Sequence, residues 1–319
     1  MTKESFALVG DIGGTNARFA LVTPGQVELQ HVEILACREY DNLDAAVREY
    51  LGRHGAEVTE ACLAFACPVN GQMIRMTNNH WVFDRDDMQD TLGLETFKIV
   101  NDFTAMALGM LHVHDEHLKR IGGPAVGGKG VRLVIGPGTG LGVSALVPAI
   151  ENWIPLATEG GHIEFGAVNE DEIRIREWLG GRFGRVSVER ILCGDGLVNL
   201  YKAHCALEGR PEPDITAADV TGGALSGDPL ATKVLNHFCE ILGRVAGDDV
   251  LTLGAWGGVY LCGGILPRFV EFLRASPFRA AFERKGRMRH LMENTPVWVV
   301  TDVLAGLKGA AEALRNPEV

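Results

Sequence analysis

The feature that most constrains this chain is a β-like run broken by a glycine-rich turn, and it occurs twice. Phe6-Ala-Leu-Val-Gly10 is short and apolar; it breaks at Asp11-Ile-Gly-Gly-Thr-Asn16 and resumes as Arg18-Phe-Ala-Leu-Val22. Two such runs across Gly-Gly-Thr-Asn predict a β-hairpin. Farther on, Val131–Ile135 is followed by Gly136-Pro-Gly-Thr-Gly-Leu-Gly142 and then by Val143–Val147. Each hairpin precedes further alternation of helix and strand, which predicts two related α/β lobes. A chain of 319 residues is long enough for two cores.

Between and beyond the hairpins the pattern is regular. A helix is expected from Asp41 to Gly52, capped by Asp41 or Asn42, then strands at Ala61–Ala66 and Phe97–Val100. The strongest helix starts at Pro229, with Asp228 as its cap, and its apolar stripe is followed to about Ala246. A buried strand lies within Gly257-Gly-Val-Tyr-Leu-Cys-Gly-Gly264, another at Val297–Val300, and a small-residue helix around Leu304–Leu314. With no low-complexity linker in view, the chain is expected to cross between lobes more than once.

Four segments carry residues suited to chemistry. Adjacent Gly13 and Gly14 let backbone N–H groups converge on phosphate oxygens, with Thr15 and Asn16 adding donors. Asp11, at the strand end, suits a Mg²⁺ ion held through water; the segment alone is equally a tight hairpin with a solvated carboxylate. Ile135-Gly-Pro-Gly-Thr-Gly-Leu-Gly142 lacks the G-x-G-x-x-G spacing and runs into a strand, so it reads as a second phosphate hairpin, not a dinucleotide site. Gly123 to Gly130 imitates a Walker A loop but ends in glycine where a magnesium-binding hydroxyl is needed, and reads as a surface turn.

Asp102, after Ile99-Val-Asn101, is a carboxylate at a strand end, placed either to take a proton from a hydroxyl or to cap the helix that follows. In Thr158-Glu-Gly-Gly-His162 the glycines allow close approach. Glu159 and His162 combine an acceptor with a switchable donor, as binding of a polyhydroxy ligand requires. Glu189 by itself is equally a solvated helix residue. His112-Val-His-Asp-Glu-His117 lies in a polar stretch and does not read as a closed metal site.

The net charge of −11 removes the electrostatic footprint of a nucleic-acid binder and opposes anionic membranes. A polyanion such as ATP would have to be held locally, by backbone N–H groups and a metal ion. Neither a secretory leader nor an apolar run long enough to span a bilayer is expected. The seven cysteines are scattered without a C-x-x-C pair and read as buried, reduced thiols of a cytoplasmic protein.

Taken in order, these segments resemble the superfamily that joins sugar kinases, actin and heat-shock chaperones, and within it the bacterial-type glucokinases. The resemblance runs nearly end to end, through Asp11-Ile-Gly-Gly-Thr-Asn-Ala-Arg18, Ala66-Cys-Pro-Val69, Met76-Thr-Asn78 with Trp81, Val100-Asn-Asp102, Glu159-Gly-Gly-His162, Val188-Glu-Arg190 and Gly257 to Ile265. It implies a two-lobed, actin-like ATPase (ribonuclease H-like) α/β fold with an inter-lobe cleft. The small lobe would be residues 1–110 completed by a C-terminal helix, 302–319, and the large lobe 111–301. It implies ATP and Mg²⁺ at Gly10, Asp11, Ile12, Gly13, Gly14, Thr15 and Asn16, at Gly138, Thr139 and Gly140, and at Gly263 and Gly264. Glucose would be bound by Asn101, Asp102, Glu159, His162 and Glu189, with Asp102 as general base and glucose 6-phosphate as product.

A homodimer is implied on the same ground. Cys193 and Asp195 depart from the small residue and proline expected after the last sugar-binding carboxylate, which bears on the local turn. Rival readings are a related kinase of mannose, fructose or an amino sugar, a non-catalytic sugar-sensing regulator, and an actin- or chaperone-like ATPase. A repressor would need a helix-turn-helix, whereas the first strand here begins almost at residue 1; an ATPase has no use for the Glu159 and His162 pair.

Overall fold

The computed structural model describes residues 5–319, which separate into two compact units. The first gathers the chain up to His114, Leu146–Ala157 and Asp302–Val319; the second gathers Asp115–Ala145 and Thr158–Thr301. Each unit has its own apolar core, one around Leu8, Phe19, Tyr50, Phe65 and Trp81, the other around Leu133, Ile175, Phe238, Val259 and Phe282.

In chain order the strands are β1 (Phe6–Ile12), β2 (Asn16–Val22), β3 (Gln30–Ala36), β4 (Val58–Phe65), β5 (Met73–Arg75), β6 (Val82–Asp84), β7 (Thr96–Asn101), β8 (Leu118–Gly122), β9 (Arg132–Pro137), β10 (Leu141–Pro148), β11 (Trp153–Ala157), β12 (Gly258–Leu261) and β13 (Val297–Val300). The first sheet has the order β3-β2-β1-β4-β7. Its β1, β2 and β3 are antiparallel to one another in turn, and β4 and β7 are added parallel to β1. The second has the order β11-β10-β9-β12-β13-β8. There β12 and β13 are again added in parallel, to β9, and the edge strand β8 pairs antiparallel with β13. Stripped of β8, the two sheets have one strand order, as the repeated hairpins predict. Parallel strands such as β4 and β12 lie in buried runs, which is why they read as continuous apolar segments and not as alternation.

Both hairpins form where expected, and each strand extends a residue or two farther into its turn than its apolar run. The helix expected from Pro229 begins there, with the Asp228 carboxylate accepting the Ala231 N–H at 2.7 Å, but it continues past Ala246 to Leu253. No residue in between forces a stop; the helix ends at Gly254, whose φ of 62° lies in the left-handed region. Gly247, inside it, is a packing requirement, because a Cβ there would lie 2.6 Å from Lys285 Cε and 2.8 Å from the Phe282 carbonyl of a packed neighbour.

In the first unit the C-terminal helix, Ala305–Arg315, crosses the helix Asp102–Gly109 at very short range. A Cβ on Gly309 would stand 1.6 Å from the Ala105 carbonyl oxygen, and one on Gly109 would stand 2.0 Å from that of Ala305. The small-residue composition of the C-terminal helix is therefore a packing requirement. Lys98, on β7, fixes its far end by donating to the Ala313 and Asn316 carbonyls, each at 2.9 Å. The crossing anchors the helix that Asp102 opens. All seven cysteines are buried and unpaired by disulfides.

Candidate active site

In the first unit, the β1–β2 hairpin closes through Gly13 N–H on the Asn16 carbonyl at 2.9 Å. Its outer surface is braced by neighbours: Asn79 Nδ2 donates to the Gly13 carbonyl at 3.2 Å, and Cys37 N–H to that of Thr15 at 2.9 Å. Gly14 is required by close approach, since its Cβ would lie 2.6 Å from that of Asn78. At Gly13 the corresponding space holds only the Asn16 carbonyl, at 3.5 Å.

Asp11 pairs across the hairpin with Arg18, Nη1 to Oδ2 at 3.2 Å. Burial raises its pKa, and the Arg18 guanidinium acts in the opposite direction. Among the described residues no group of three His, Cys, Asp or Glu forms a metal cage. A single carboxylate beside an open glycine turn fits Mg²⁺ that keeps its water and takes its remaining ligands from phosphate.

Asn101 and Asp102 end β7 and open a helix. The Asn101 side chain is the N-cap: its Oδ1 accepts the N–H groups of Phe103 at 2.9 Å and Thr104 at 3.3 Å, while Nδ2 donates to the Cys67 carbonyl at 3.3 Å. The choice left open for Asp102 is thereby resolved in one respect, because the capping position belongs to the residue before it. Asp102 Oδ1 also accepts the Phe103 N–H, at 2.9 Å, so the carboxylate is held at the positive end of the helix. Burial and then the charge of Asp102 push the Cys67 thiol up to about 11.

In the second unit, the neighbouring Glu159 and His162 are joined by Glu189 from a later segment. His162 Nε2 lies 3.8 Å from Glu159 Oε2, and its Nδ1 lies 3.8 Å from Glu189 Oε1. The side chains of Glu159 and His162 are 64% and 54% exposed, so they are open to a ligand, whereas Glu189 is 27% exposed and more enclosed. Glu159 and His162 flank a 3₁₀ turn whose Gly161 packs against β10: a Cβ there would lie 2.1 Å from the Leu141 carbonyl. Glu189 also sits in a 3₁₀ turn, Val188–Arg190, and not in a helix.

The second glycine hairpin joins β9 to β10, with Gly138 N–H on the Gly140 carbonyl at 2.8 Å. Three other segments meet it. Gly263, with φ of 88°, comes so near that a Cβ would stand 2.4 Å from the Pro137 carbonyl. Gly194 donates its N–H to the Gly138 carbonyl at 2.9 Å. Glu189 Oε2 accepts the Leu141 N–H at 2.8 Å. Around Gly138 and Gly264 a Cβ would meet nothing nearer than the Gly140 carbonyl at 3.9 Å, which leaves the backbone approachable by phosphate.

Sequence reasoning missed several supports. Arg185 Nη2 donates to the His162 carbonyl at 2.6 Å and steadies the imidazole-bearing turn. Asn79 follows the Met76-Thr-Asn78 landmark by one residue yet makes the bond to Gly13. The turn at Cys193 is regular: its Sγ accepts the Gly196 N–H at 3.2 Å and caps the helix Gly194–Leu207. Burial pushes that thiol up to about 11. Only the lone cysteine in a cap position before Gly-Asp-Gly could have signalled this. In the histidine-rich stretch, His112 pairs with Glu312 at 2.8 Å and His117 with Glu116 at 3.6 Å.

A family model described as glucokinase matches residues 8–317. The chain is 59% identical over 321 residues to a glucokinase of Hahella chejuensis, covering 100% of both. Among solved structures it resembles a glucokinase from an Antarctic psychrotroph, with a TM-score of 0.88 and 33% identity over 98% of this chain and 100% of that one. A glucokinase of the ROK family from Streptomyces griseus, solved with glucose and AMPPNP, shares the fold at a TM-score of 0.64 and 18% identity, with 98% of this chain and 99% of that one covered. The architecture is thus the actin-like ATPase fold.

Proposed function

The chain belongs to the glucokinase family and phosphorylates glucose, and from that premise we propose that it transfers the γ-phosphate of ATP to the 6-hydroxyl, giving glucose 6-phosphate and ADP. The observation that carries the assignment of roles is the convergence of Glu159, His162 and Glu189, with His162 3.8 Å from each carboxylate. Two acceptors around one switchable donor make a surface that can take a proton from one hydroxyl and give one to the next.

In this reading Asn101, Glu159, His162 and Glu189 orient the sugar, and Asp102 accepts the proton of the 6-hydroxyl as the oxygen attacks. The N-cap bonds of Asn101 and the Phe103 N–H on Asp102 fix the carboxylate before substrate arrives, which lowers the cost of orientation. Gly10 to Asn16, Gly138 to Gly140, and Gly263 with Gly264 would hold ATP through backbone N–H groups, and Asp11 would hold Mg²⁺ through water. The bound magnesium nucleotide supplies the phosphoryl group and charge neutralisation. The lobes would be 1–110 with 302–319, and 111–301, in a homodimer. Seven buried thiols fit a reducing compartment, and the cytoplasm is the proposed location. No described helix is long and apolar enough to cross a membrane.

The test is ADP release with Mg-ATP against glucose, mannose, fructose and N-acetylglucosamine. Strong release with glucose supports the proposal. Release with another sugar alone moves the specificity, and release without any sugar overturns it.

A further inference from the structure

Two sets of residues assigned to different ligands are joined by one side chain. Glu189 belongs to the sugar set and Gly138 to Gly140 to the nucleotide set, yet Glu189 Oε2 accepts the N–H of Leu141, at the exit of the nucleotide hairpin, at 2.8 Å. The other oxygen of the same carboxylate faces His162 Nδ1 at 3.8 Å. The carboxylate lies flat against the hairpin because Gly140 has no side chain: a Cβ there would stand 2.5 Å from Glu189 Oε2 and 3.4 Å from its carboxyl carbon.

We infer that Gly140 and the Leu141 N–H are positioning residues for the sugar: the nucleotide hairpin is the seat on which a glucose-binding carboxylate rests. The inference rests on the reading that Glu189 binds the sugar, and it makes a crossed prediction that this reading alone does not. A substitution in the nucleotide hairpin should weaken glucose binding when no nucleotide is present. The reason is steric and electrostatic together. An added methyl cannot share 2.5 Å with a carboxylate oxygen, so the Glu189 carboxylate must swing off the hairpin, away from the place where it faces His162. Displacing it breaks a charge-assisted hydrogen bond and removes the acceptor held beside His162.

Backbone strain does not confuse the test. Gly140 lies outside the left-handed region, so alanine is compatible with its backbone. Gly138, in the same hairpin, is an internal control, because its Cβ would meet only the Gly140 carbonyl at 3.9 Å. The bond also offers a link in the opposite direction. A nucleotide that orders the hairpin steadies Leu141 and with it Glu189, so each ligand would bind more tightly in the presence of the other.

The experiment is equilibrium glucose binding without nucleotide, and ADP binding without sugar, for the parent protein, Gly140→Ala, Gly138→Ala, Glu189→Ala and the double variant Gly140→Ala/Glu189→Ala. Thermal unfolding checks that each is folded. Gly140→Ala should raise the glucose Kd about tenfold or more, and Gly138→Ala less than about twofold. In the double variant, Gly140→Ala should add little to the loss caused by Glu189→Ala, since the group it displaces is gone. Unchanged glucose binding in Gly140→Ala, with Glu189→Ala still impaired, overturns the seat while leaving the sugar assignment standing. Additive losses in the double variant do the same. Glucose binding indifferent to Glu189→Ala removes the sugar assignment, and the seat falls with it.

Discussion

Replacing Asn101 by alanine removes the support of the proposed base, and one proposed sugar ligand with it, while leaving Asp102 in place. Three bonds disappear: two from the N–H groups of Phe103 and Thr104 to Oδ1, and one from Nδ2 to the Cys67 carbonyl. Loss of an asparagine N-cap costs about 1–2 kcal/mol, and loss of the tether to Cys67 about 1 kcal/mol more. The sum, about 2–3 kcal/mol, should lower the thermal midpoint by about 3–5 °C in a protein of this size. That is small enough to leave a folded enzyme at 25 °C. Turnover should nevertheless fall sharply there, because Asp102 is held by the same helix end and displacement of a catalytic group by about 1 Å costs on the order of 10²-fold.

Circular dichroism melting and steady-state kinetics on one preparation measure both losses. Asn101→Asp is the informative companion. Aspartate caps as well as asparagine but cannot donate to Cys67, and it sets a second carboxylate beside Asp102, raising the pKa there. Its stability should be nearer the parent's, and the acidic limb of its pH–rate profile should move to higher pH. Normal turnover in a destabilised Asn101→Ala would refute the idea that the cap positions Asp102. Normal stability would refute the cap.

Three further outcomes follow from the same structure. Asp102→Asn should bind glucose nearly as the parent does, by calorimetry, while turnover drops about 10²–10⁴-fold; near-normal turnover removes Asp102 as the base. Gly309→Ala inserts a methyl 1.6 Å from the Ala105 carbonyl, so the two helices must separate, lowering stability by about 1–3 kcal/mol and turnover with it; an unchanged melt and rate would contradict that crossing. Asp249 has a buried Oδ2 without a hydrogen-bond partner among the described residues, and burial, then Asp248, pushes its pKa up to about 7. Since the native state keeps that proton after the unfolded chain has lost it at about 3.9, stability falls as pH rises between the two values, by about 4 kcal/mol at most. Asp249→Asn should therefore raise the urea midpoint at pH 8 and change it little at pH 4; equal effects at both would show that ionisation is not the cause.

Much of this was legible in the sequence because it is written locally. The two glycine turns between apolar runs specify hairpins through the backbone they permit, and Asp228-Pro229 specifies a helix start through one side chain and one fixed torsion. The duplicated order of strands was visible as a repeated motif for the same reason. Conversely, the seven-residue β3 and the short β5–β6 hairpin escaped notice: all of β3 but Leu35 is exposed or only partly buried, so its residues carry no clear apolar alternation.

Read along the chain, the residues supply the inventory: hairpins with the right glycines, a carboxylate after β7, a Glu-Gly-Gly-His turn, and their order. Which of these touch is fixed by folding. Nothing near Glu189 in sequence says that it accepts the Leu141 N–H or faces His162, because both contacts are made across folded segments. Nothing near Gly309 says that it needs to be glycine until the Ala105 carbonyl arrives beside it. Torsions and caps are properties of a few neighbouring residues, whereas close approach is a property of two surfaces, and the sequence records the second only as an unexplained small residue or a lone charge.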